Sequence, residues 1–368
     1  MCNEARGLRG WARKAARWAV FAAAVALALL VFLASRGRVQ GAGPEDVKLT
    51  PNSPDEPLAK ALSLEKAAGF LDAVALDWTR KRNCGTCHTN YAYMITRPAL
   101  KGFDSPAVGE IRSFFEDRAE HWDDAEKGAK PRWDTEVVAT AAALALNDAA
   151  TTGTLHPTTR KALDRMWTLQ KPDGSWDWLK CDWPPYEHDD YYGAVFAALG
   201  VGSAPGGYAK SESARAGLER LRSYLTSHAP PDLHHQTFLL WASTRLDGLM
   251  PEPDRARTVQ SLRDLQREDG GWSLPSLGTW KRHDGSPNDR KTAPSDGYAT
   301  GLIVYVLRQA GVPASDPSVK RGADWLRTHQ RVSGRWFTRS LSTDKFHYIT
   351  NAGTGYAVMA LSVCDDAP

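Results

Sequence analysis

The sequence predicts an all-α fold, an (α/α)6 toroid preceded by an N-terminal signal or anchor helix. Two observations predict it: a loop motif that recurs at three places, and six apolar segments that follow amphipathic segments at regular intervals. Successive helical hairpins of this kind close into a ring, with the more apolar helix of each pair lining the centre. Residues 59–368 are therefore predicted to form a single toroid domain.

The N-terminus is predicted to direct export. Basic side chains precede an uncharged apolar run at residues 18–34, an order typical of a secretory signal or signal anchor. The run is near the lower limit for a membrane-spanning helix, and no small-x-small cleavage site precedes Arg36. We therefore expect residues 1–40 to be a signal peptide or uncleaved membrane anchor, and residues 41–58, rich in Pro and acidic residues, to be a linker. The domain is predicted to be extracytoplasmic or periplasmic, tethered to the cytoplasmic membrane or secreted.

The charge pattern excludes one class of partner. The chain has 46 Lys and Arg against 43 Asp and Glu; the first 40 residues hold seven and one of these, which leaves 39 basic and 42 acidic residues in the remainder. A slightly acidic domain of mixed charge predicts no nucleic-acid partner. The 5 cysteines are too few for a disulfide scaffold.

The recurring loop motif is Gln-x3-Gly-x-Trp. It occurs at residues 170–176, 266–272 and 330–336, each time with an apolar residue four positions before the Gln. The pattern predicts that an outer helix ends at the Gln, that Gly permits the turn, and that Trp packs back over the helix end with its N–H bonded. These tryptophans are therefore predicted to be structural.

The hairpins follow from this motif and from the apolar segments. Outer helices are predicted near residues 66–82, 107–121, 158–169, 212–227, 255–266 and 316–329. Inner helices are predicted to open with short polar residues at Thr89, Asp134, Asp189, His235, Ser295 and Thr350. Because every loop from an outer to an inner helix emerges on the same face, all six starts are predicted to share one rim.

In the first hairpin the sequence Cys84-Gly85-Thr86-Cys87-His88 stands where the Gln/Trp loop stands elsewhere. Two thiols and an imidazole at this spacing can form thioether bonds to both haem vinyl groups and place His88 on the iron, so haem c is predicted. Two alternatives stay open. Zinc could be bound by the same three residues with Cys181, or the two cysteines could form a disulfide or remain free thiols.

A sixth ligand to a haem iron is predicted to come from the rim. The candidates are His188, His234 and His235, which we favour over Met94 because Met94 lies about one and a half turns below His88 in the inner helix.

The Gln/Trp motif resembles the repeat of squalene–hopene cyclases and oxidosqualene cyclases, in the prenyltransferase/squalene-oxidase repeat superfamily, and by repetition covers most of residues 60–364. Within it, residues 187–190 are similar to the DxDD acid motif of class II terpenoid cyclases. The resemblance implies Asp189 as proton donor to an isoprenoid, with Glu187 and Asp190 as flanking carboxylates. Clustered carboxylates raise one another's pKa, as a general acid requires. Alternatively, Asp189 or Asp190 is an N-cap.

Three functions are thus predicted. The first is a membrane-tethered toroid with a c-type haem, which has a redox or electron-transfer role at the rim and a redox partner. The second is a cyclase-like enzyme that uses Asp189 on an isoprenoid. The third is a non-catalytic toroid that binds lipid, glycan or another apolar ligand in its cavity. Aromatic residues predicted at the rim suit all three: Trp183, Tyr186, Tyr191, Tyr192, Tyr298, Tyr348 and Tyr356.

Overall fold

The computed structural model describes residues 47–124 and 133–364, and the predicted anchor at residues 1–40 lies outside them. The described residues belong to one compact unit, residues 41–368. They form helices, with two isolated β-bridges and no strand in the described part of the chain. None of the helices described is both long and apolar enough to cross a bilayer.

The described chain contains twelve α-helices, which alternate between the predicted outer and inner positions. The outer helices are α1 (Leu64–Arg82), α3 (Pro106–His121), α5 (Pro157–Thr168), α7 (Glu212–Ser227), α9 (Glu252–Asp264) and α11 (Pro317–Thr328). The inner helices are α2 (Asn90–Thr96), α4 (Trp133–Ala150), α6 (Asp190–Ser203), α8 (Leu233–Ser243), α10 (Gly297–Gln309) and α12 (Ile349–Ser362). The predicted helices are confirmed, with ends that move by a few residues.

The inner helices pack against one another in chain order, and α12 returns to contact α2. Every residue of α12 from Ile349 to Leu361 is buried, whereas α9 buries only Thr258 and Leu262. The inner helices are apolar because protein surrounds them on all sides, while the outer helices bury one stripe. This all-helical ring is consistent with an α/α toroid.

The Gln/Trp loops bind each outer helix to the next one. In each loop the Trp indole N–H donates to the carbonyl four residues before the Gln, as in the 2.8 Å bond from Trp336 to Leu326. The equivalent bonds are Trp176 to Met166 and Trp272 to Leu262. The Gln amide donates to the carbonyl of the loop glycine and to the outer helix of the following hairpin. The predicted structural role of these tryptophans is confirmed.

The last of these loops closes the ring. The Gln330 amide donates to the Ser63 carbonyl at 2.8 Å and accepts from the Ser63 N–H at 2.7 Å. Ser63 is the N-cap of α1, so the sixth hairpin is bonded to the first by the same side chain that joins the other repeats. The loop glycine Gly334 has a φ of 96° and its Cα packs against the backbone of Lys66, which leaves no room for a side chain.

The predicted linker at residues 41–58 is described from residue 47, and its second half is bound to the sixth hairpin. The buried Arg335 guanidinium pairs with Glu56 and donates to the carbonyls of Thr50 and Pro51. The Val332 N–H donates to the Pro57 carbonyl at 3.0 Å. The segment just before α1 is therefore part of the folded unit.

Aspartates cap three of the inner helices. Asp189, Asp232 and Asp296 each accept a hydrogen bond from the backbone N–H three residues later, and open α6, α8 and α10. The predicted start of the fourth inner helix at His235 is wrong by about one turn, because Asp232 is the cap. His234 and His235 consequently lie inside the first turn of α8, and both are buried.

Burial of Asp296 gives the fold a pH dependence. Burial raises its pKa to about 6 although it accepts bonds from the Leu274 and Ala299 N–H groups. Because the folded carboxyl holds its proton more tightly than the unfolded chain does, the folded state loses stability as pH rises from about 4 to about 6, by up to about 3 kcal/mol.

Urea unfolding of the wild type and of Asp296→Asn across this pH range checks the expectation. The neutral amide does not titrate, so the difference in unfolding free energy between the two proteins should shift by that amount between pH 4 and pH 7 and not beyond. A difference that is constant with pH would show that Asp296 has an ordinary pKa.

Candidate functional site

The CxxCH segment is a short loop held from behind by one buried side chain. Helix α1 ends at Arg82, and Asn83 adopts a left-handed conformation with φ 46° that turns the chain. Asn90 then accepts from the Thr86 N–H at 2.8 Å and donates to the Cys84 carbonyl and the Thr79 hydroxyl, both at 3.0 Å. The loop is therefore fixed by hydrogen bonds that leave its cysteine and histidine side chains unused.

These side chains line a cavity of about 330 Å³, at the lower end of the volumes typical of small-molecule sites. Cys84 and Cys87 both carry free thiols. The walls come from the outer helix α1, from the loops of the first, third and sixth hairpins, and from the inner helices α2, α4 and α12. Among the lining residues are Trp78, Cys84, Cys87, His88, Tyr91, Glu136, Trp183, Tyr186, Glu187, Phe346 and Tyr348. The rim predicted from loop direction thus brings distant hairpins together.

His88 is held as a neutral imidazole with a fixed ring plane. Burial lowers its pKa to about 4. Its Nδ1 lies 2.8 Å from the Thr89 hydroxyl, which in turn accepts from the Asn351 amide at 3.0 Å. The ring stacks on Tyr348, with centroids 5.4 Å apart, and meets Trp78 edge-on at 4.9 Å. This arrangement is typical of metal-ligating histidines: one ring nitrogen is hydrogen-bonded to the protein, and the other has a lone pair that can bind a metal.

One donor on the cavity wall has no acceptor in the described protein. The indole N–H of Trp78 is buried and forms no hydrogen bond there. An unsatisfied buried donor costs about 1–3 kcal/mol. A bound group with an acceptor oxygen would satisfy it.

The glycine of the CxxCH segment is required by packing. A Cβ at Gly85 would overlap the hydroxyl of Tyr91, which is held 3.0 Å from the Thr140 hydroxyl of α4. The Tyr91 ring therefore approaches the loop backbone so closely that only glycine fits at position 85.

The CxxCH side chains do not form a preformed zinc site. In the described chain the only group of three His, Cys, Asp or Glu side chains close enough to share a metal ion lies elsewhere, at Asp232, His234 and His235. Cys181 is exposed and does not line the cavity. Burial, and then the charge of Glu187, raise the pKa of Cys87, which disfavours the thiolate that zinc needs. Formation of thioether bonds, by contrast, requires Cys84 and Cys87 to be free thiols that are not joined to each other, as they are here.

None of the histidines predicted as a sixth ligand lines the cavity. The side chain of His188 is 45% exposed and lies 3.5 Å from Asp182. His234 and His235 pack around Tyr192 and Phe238, among the inner helices. Met94 is buried within α2. The side chain that stacks on the His88 ring is Tyr348, which the sequence predicted only as an aromatic residue of the rim.

The acid cluster at residues 187–190 does not converge on one site. Glu187 lines the CxxCH cavity, and burial raises its pKa. Asp190 lies 3.2 Å from Lys171 and 3.0 Å from Lys180. Asp189 caps α6 and lies 3.0 Å from His235. The pKa of Asp189 is lowered, since the bond and charge of His235 outweigh burial. This direction is opposite to what a proton donor requires.

Replacement of Asp189 tests this arrangement. Asp189→Asn keeps the helix cap but removes the charged partner of a buried histidine, so the unfolding free energy should fall by about 1.5–3 kcal/mol. Asp189→Ala should lose about 1 kcal/mol more, the value of the cap. Urea denaturation checks both, with Asp173→Asn, an exposed acidic residue of the same hairpin, as the control. An Asn variant as stable as the wild type would mean that Asp189 only caps the helix.

Several residues at the site carry no motif. Trp78, Glu136 and Phe346 line the cavity although they stand far from one another in sequence, and no local pattern distinguishes them. Asp232 was also missed. The sequence signal for Asp232 is its position three residues before His235, because a capping side chain at this spacing lies beside the first turn of the helix.

The fold and site define an all-helical, α/α-type ring protein with a cysteine- and histidine-lined cavity. No family model matches the chain, and no curated protein matches it. Among solved structures, it is similar to that of a glycosidase, determined as a glutamate-to-alanine variant. The TM-score is 0.51 at 13% sequence identity, over 82% of this chain and 96% of that chain. At this identity the similarity shows the fold alone.

Proposed function

We propose that the protein is an extracytoplasmic, membrane-tethered toroid of the squalene-cyclase-like type that carries one c-type haem at its rim and functions in electron transfer or redox chemistry. The observation that carries the proposal is the placing of two free thiols, Cys84 and Cys87, with the neutral imidazole of His88 on the wall of one cavity. The N-terminal sequence pattern supports the compartment, since haem c is attached outside the cytoplasm.

The cysteines would hold the haem covalently. Each thiol would add across one vinyl group, with the sulfur on one vinyl carbon and the thiol hydrogen on the other, so no oxidant would be consumed. When bound, haem c would supply a one-electron iron couple. His88 would hold the iron through its ring, which the Thr89 hydroxyl orients at Nδ1.

The rest of the cavity is suited to a flat, mainly apolar group with acidic substituents. Trp78 and Tyr348 provide aromatic walls, and the Trp78 indole provides an unsatisfied donor. Glu187 also lines the cavity, and burial raises the pKa of its carboxyl. Exclusion of water by these side chains would tune the potential of the iron.

A partner would approach on the aromatic side of the cavity. Trp183 and Phe346 both line it and are 38% and 46% exposed. Large exposed aromatic side chains at the edge of a cavity are typical of contact sites. We propose that a redox partner, or an apolar ligand such as an isoprenoid, contacts the protein there.

The deciding experiment is the spectrum of the full chain expressed with and without a cytochrome c maturation system. The matured protein should show the reduced bands of haem c and retain them after denaturation in detergent, because thioether bonds are covalent. Protein made without the maturation system is the matched control and should be colourless. A folded protein that stays colourless under both conditions would refute the haem proposal, and one zinc per chain bound through Cys84 and Cys87 would replace it.

A further inference from the structure

His234 carries a buried nitrogen with no partner. The side chain is fully buried in the first turn of α8, and its Nε2 lies 2.8 Å from the Tyr298 hydroxyl. Its Nδ1 is buried and forms no hydrogen bond in the described structure. Leaving a polar atom buried in this way costs about 1–3 kcal/mol, unless a ligand that the protein binds satisfies it.

Two further ligand-type side chains lie beside it. Asp232, His234 and His235 each offer one ligand atom, and these atoms lie within 4.8 Å of one another. The His235 Nδ1 is 2.6 Å from the Asp232 carboxylate. The other ring nitrogen of His235, Nε2, faces the Asp189 carboxylate at 3.0 Å.

We propose that Asp232, His234 and His235 bind a divalent transition-metal ion, with zinc as the preferred occupant. Two imidazoles and one carboxylate are a donor set typical of zinc and its first-row neighbours. Three protein ligands leave a fourth position for water or a substrate oxygen. None of the three lines the CxxCH cavity, so this centre is separate from the proposed haem.

Asp189 acts as the positioning residue of this centre. A carboxylate beside Nε2 of His235 keeps the proton on that nitrogen, so that Nδ1 can bind a metal once the proton it shares with Asp232 has left. The two carboxylates then balance one divalent ion. Asp189 and Asp232 are 24% and 13% exposed, whereas both histidines are buried, so an ion would enter from the carboxylate side.

Binding requires a small local change. Two ligands of one tetrahedral zinc ion lie about 3.3 Å apart at bond lengths of about 2.0–2.1 Å. The Asp232 carboxylate and His235 Nδ1 are now closer than this because a proton lies between them. The ion would therefore displace that proton, and the two side chains would separate by less than about 1 Å.

The test is zinc and cobalt titration of the full chain, with any affinity tag removed and bound metal stripped by chelator. We expect one zinc per chain, measured against a chromophoric competitor. Cobalt should give the visible bands of a nitrogen- and oxygen-ligated site without the sulfur charge-transfer band of thiolate ligation. Asp232→Asn and His235→Gln should each weaken binding by more than about 100-fold, and Asp189→Asn by about 10- to 100-fold.

The Cys84→Ser, Cys87→Ser double variant separates this proposal from the haem proposal. It should bind zinc as the wild type does, whatever the outcome of the haem experiment. Loss of zinc binding in that variant, or a sulfur band with cobalt, would assign the metal to the CxxCH loop and overturn the proposal. So would a stripped wild-type protein that is folded by circular dichroism and binds no zinc, or unchanged binding in Asp232→Asn with His235→Gln.

Discussion

A protein with Cys84→Ser and Cys87→Ser is expected to fold but to retain no haem after denaturation. Both side chains line the cavity as free thiols and take no part in the hydrogen bonds that Asn90 forms to the loop backbone. Serine is close in size and cannot form a thioether, so the loop should persist while the covalent attachment is lost. Haem staining of a denaturing gel and the reduced spectrum measure the result, and the loss should be complete.

Single replacements refine this expectation. Cys84→Ser or Cys87→Ser alone should keep one thioether and a reduced amount of bound haem. His88→Ala should keep the covalent attachment, because both thiols remain, but change the spectrum through loss of the axial nitrogen. Cys181→Ser is the matched control, since Cys181 is exposed and outside the cavity. Haem retained by the double serine variant, or lost with Cys181→Ser, would contradict the assignment.

The fold could be predicted because its signals are local and repeated. Each Gln/Trp loop satisfies its own helix end and reaches the next outer helix, so a short motif reports both a helix boundary and a neighbour. The ring closure from Gln330 to Ser63 uses the same contact, although the two residues lie at opposite ends of the domain. The fourth hairpin lacks the motif, and the predicted start of its inner helix was the least accurate.

The candidate site was predictable only where the chemistry is adjacent in sequence. CxxCH holds its three groups within five residues, and the structure brings them to one cavity. The acid cluster is equally local, but Glu187, Asp189 and Asp190 face three different surroundings. The direction in which each side chain points at a loop or helix start depends on its neighbours in the folded structure. His235 and two lysines decide where those carboxylates bond. None of these three partners could be assigned from the sequence.

The shared rim gives the two proposed centres a common origin. Each uses the start of an inner helix, where side chains from neighbouring hairpins meet. At the first hairpin the structural loop is replaced by thiols and an imidazole, and at the third and fourth hairpins the capping aspartates Asp189 and Asp232 flank a buried histidine. The repeat thus provides stability at three loops and leaves others free to carry chemistry.

Trp336→Ala is expected to be the most destabilising single replacement among the loop residues, by about 3–5 kcal/mol. The indole is fully buried and donates to the Leu326 carbonyl at 2.8 Å. Its loop is also the one that joins the sixth hairpin to the first. Removal leaves a cavity, an unpaired carbonyl and a loosened ring closure, which urea unfolding would measure.

Two companion variants separate these contributions. Trp336→Phe keeps most of the packing and loses the indole N–H, so it should cost about 1–3 kcal/mol. Trp183→Ala removes an indole that is 38% exposed and should change stability by less than about 1 kcal/mol. Because Trp336 does not line the CxxCH cavity, its loss should leave haem attachment intact in the protein that still folds. Selective loss of haem at unchanged stability would show that Trp336 belongs to the functional site and would contradict its structural role.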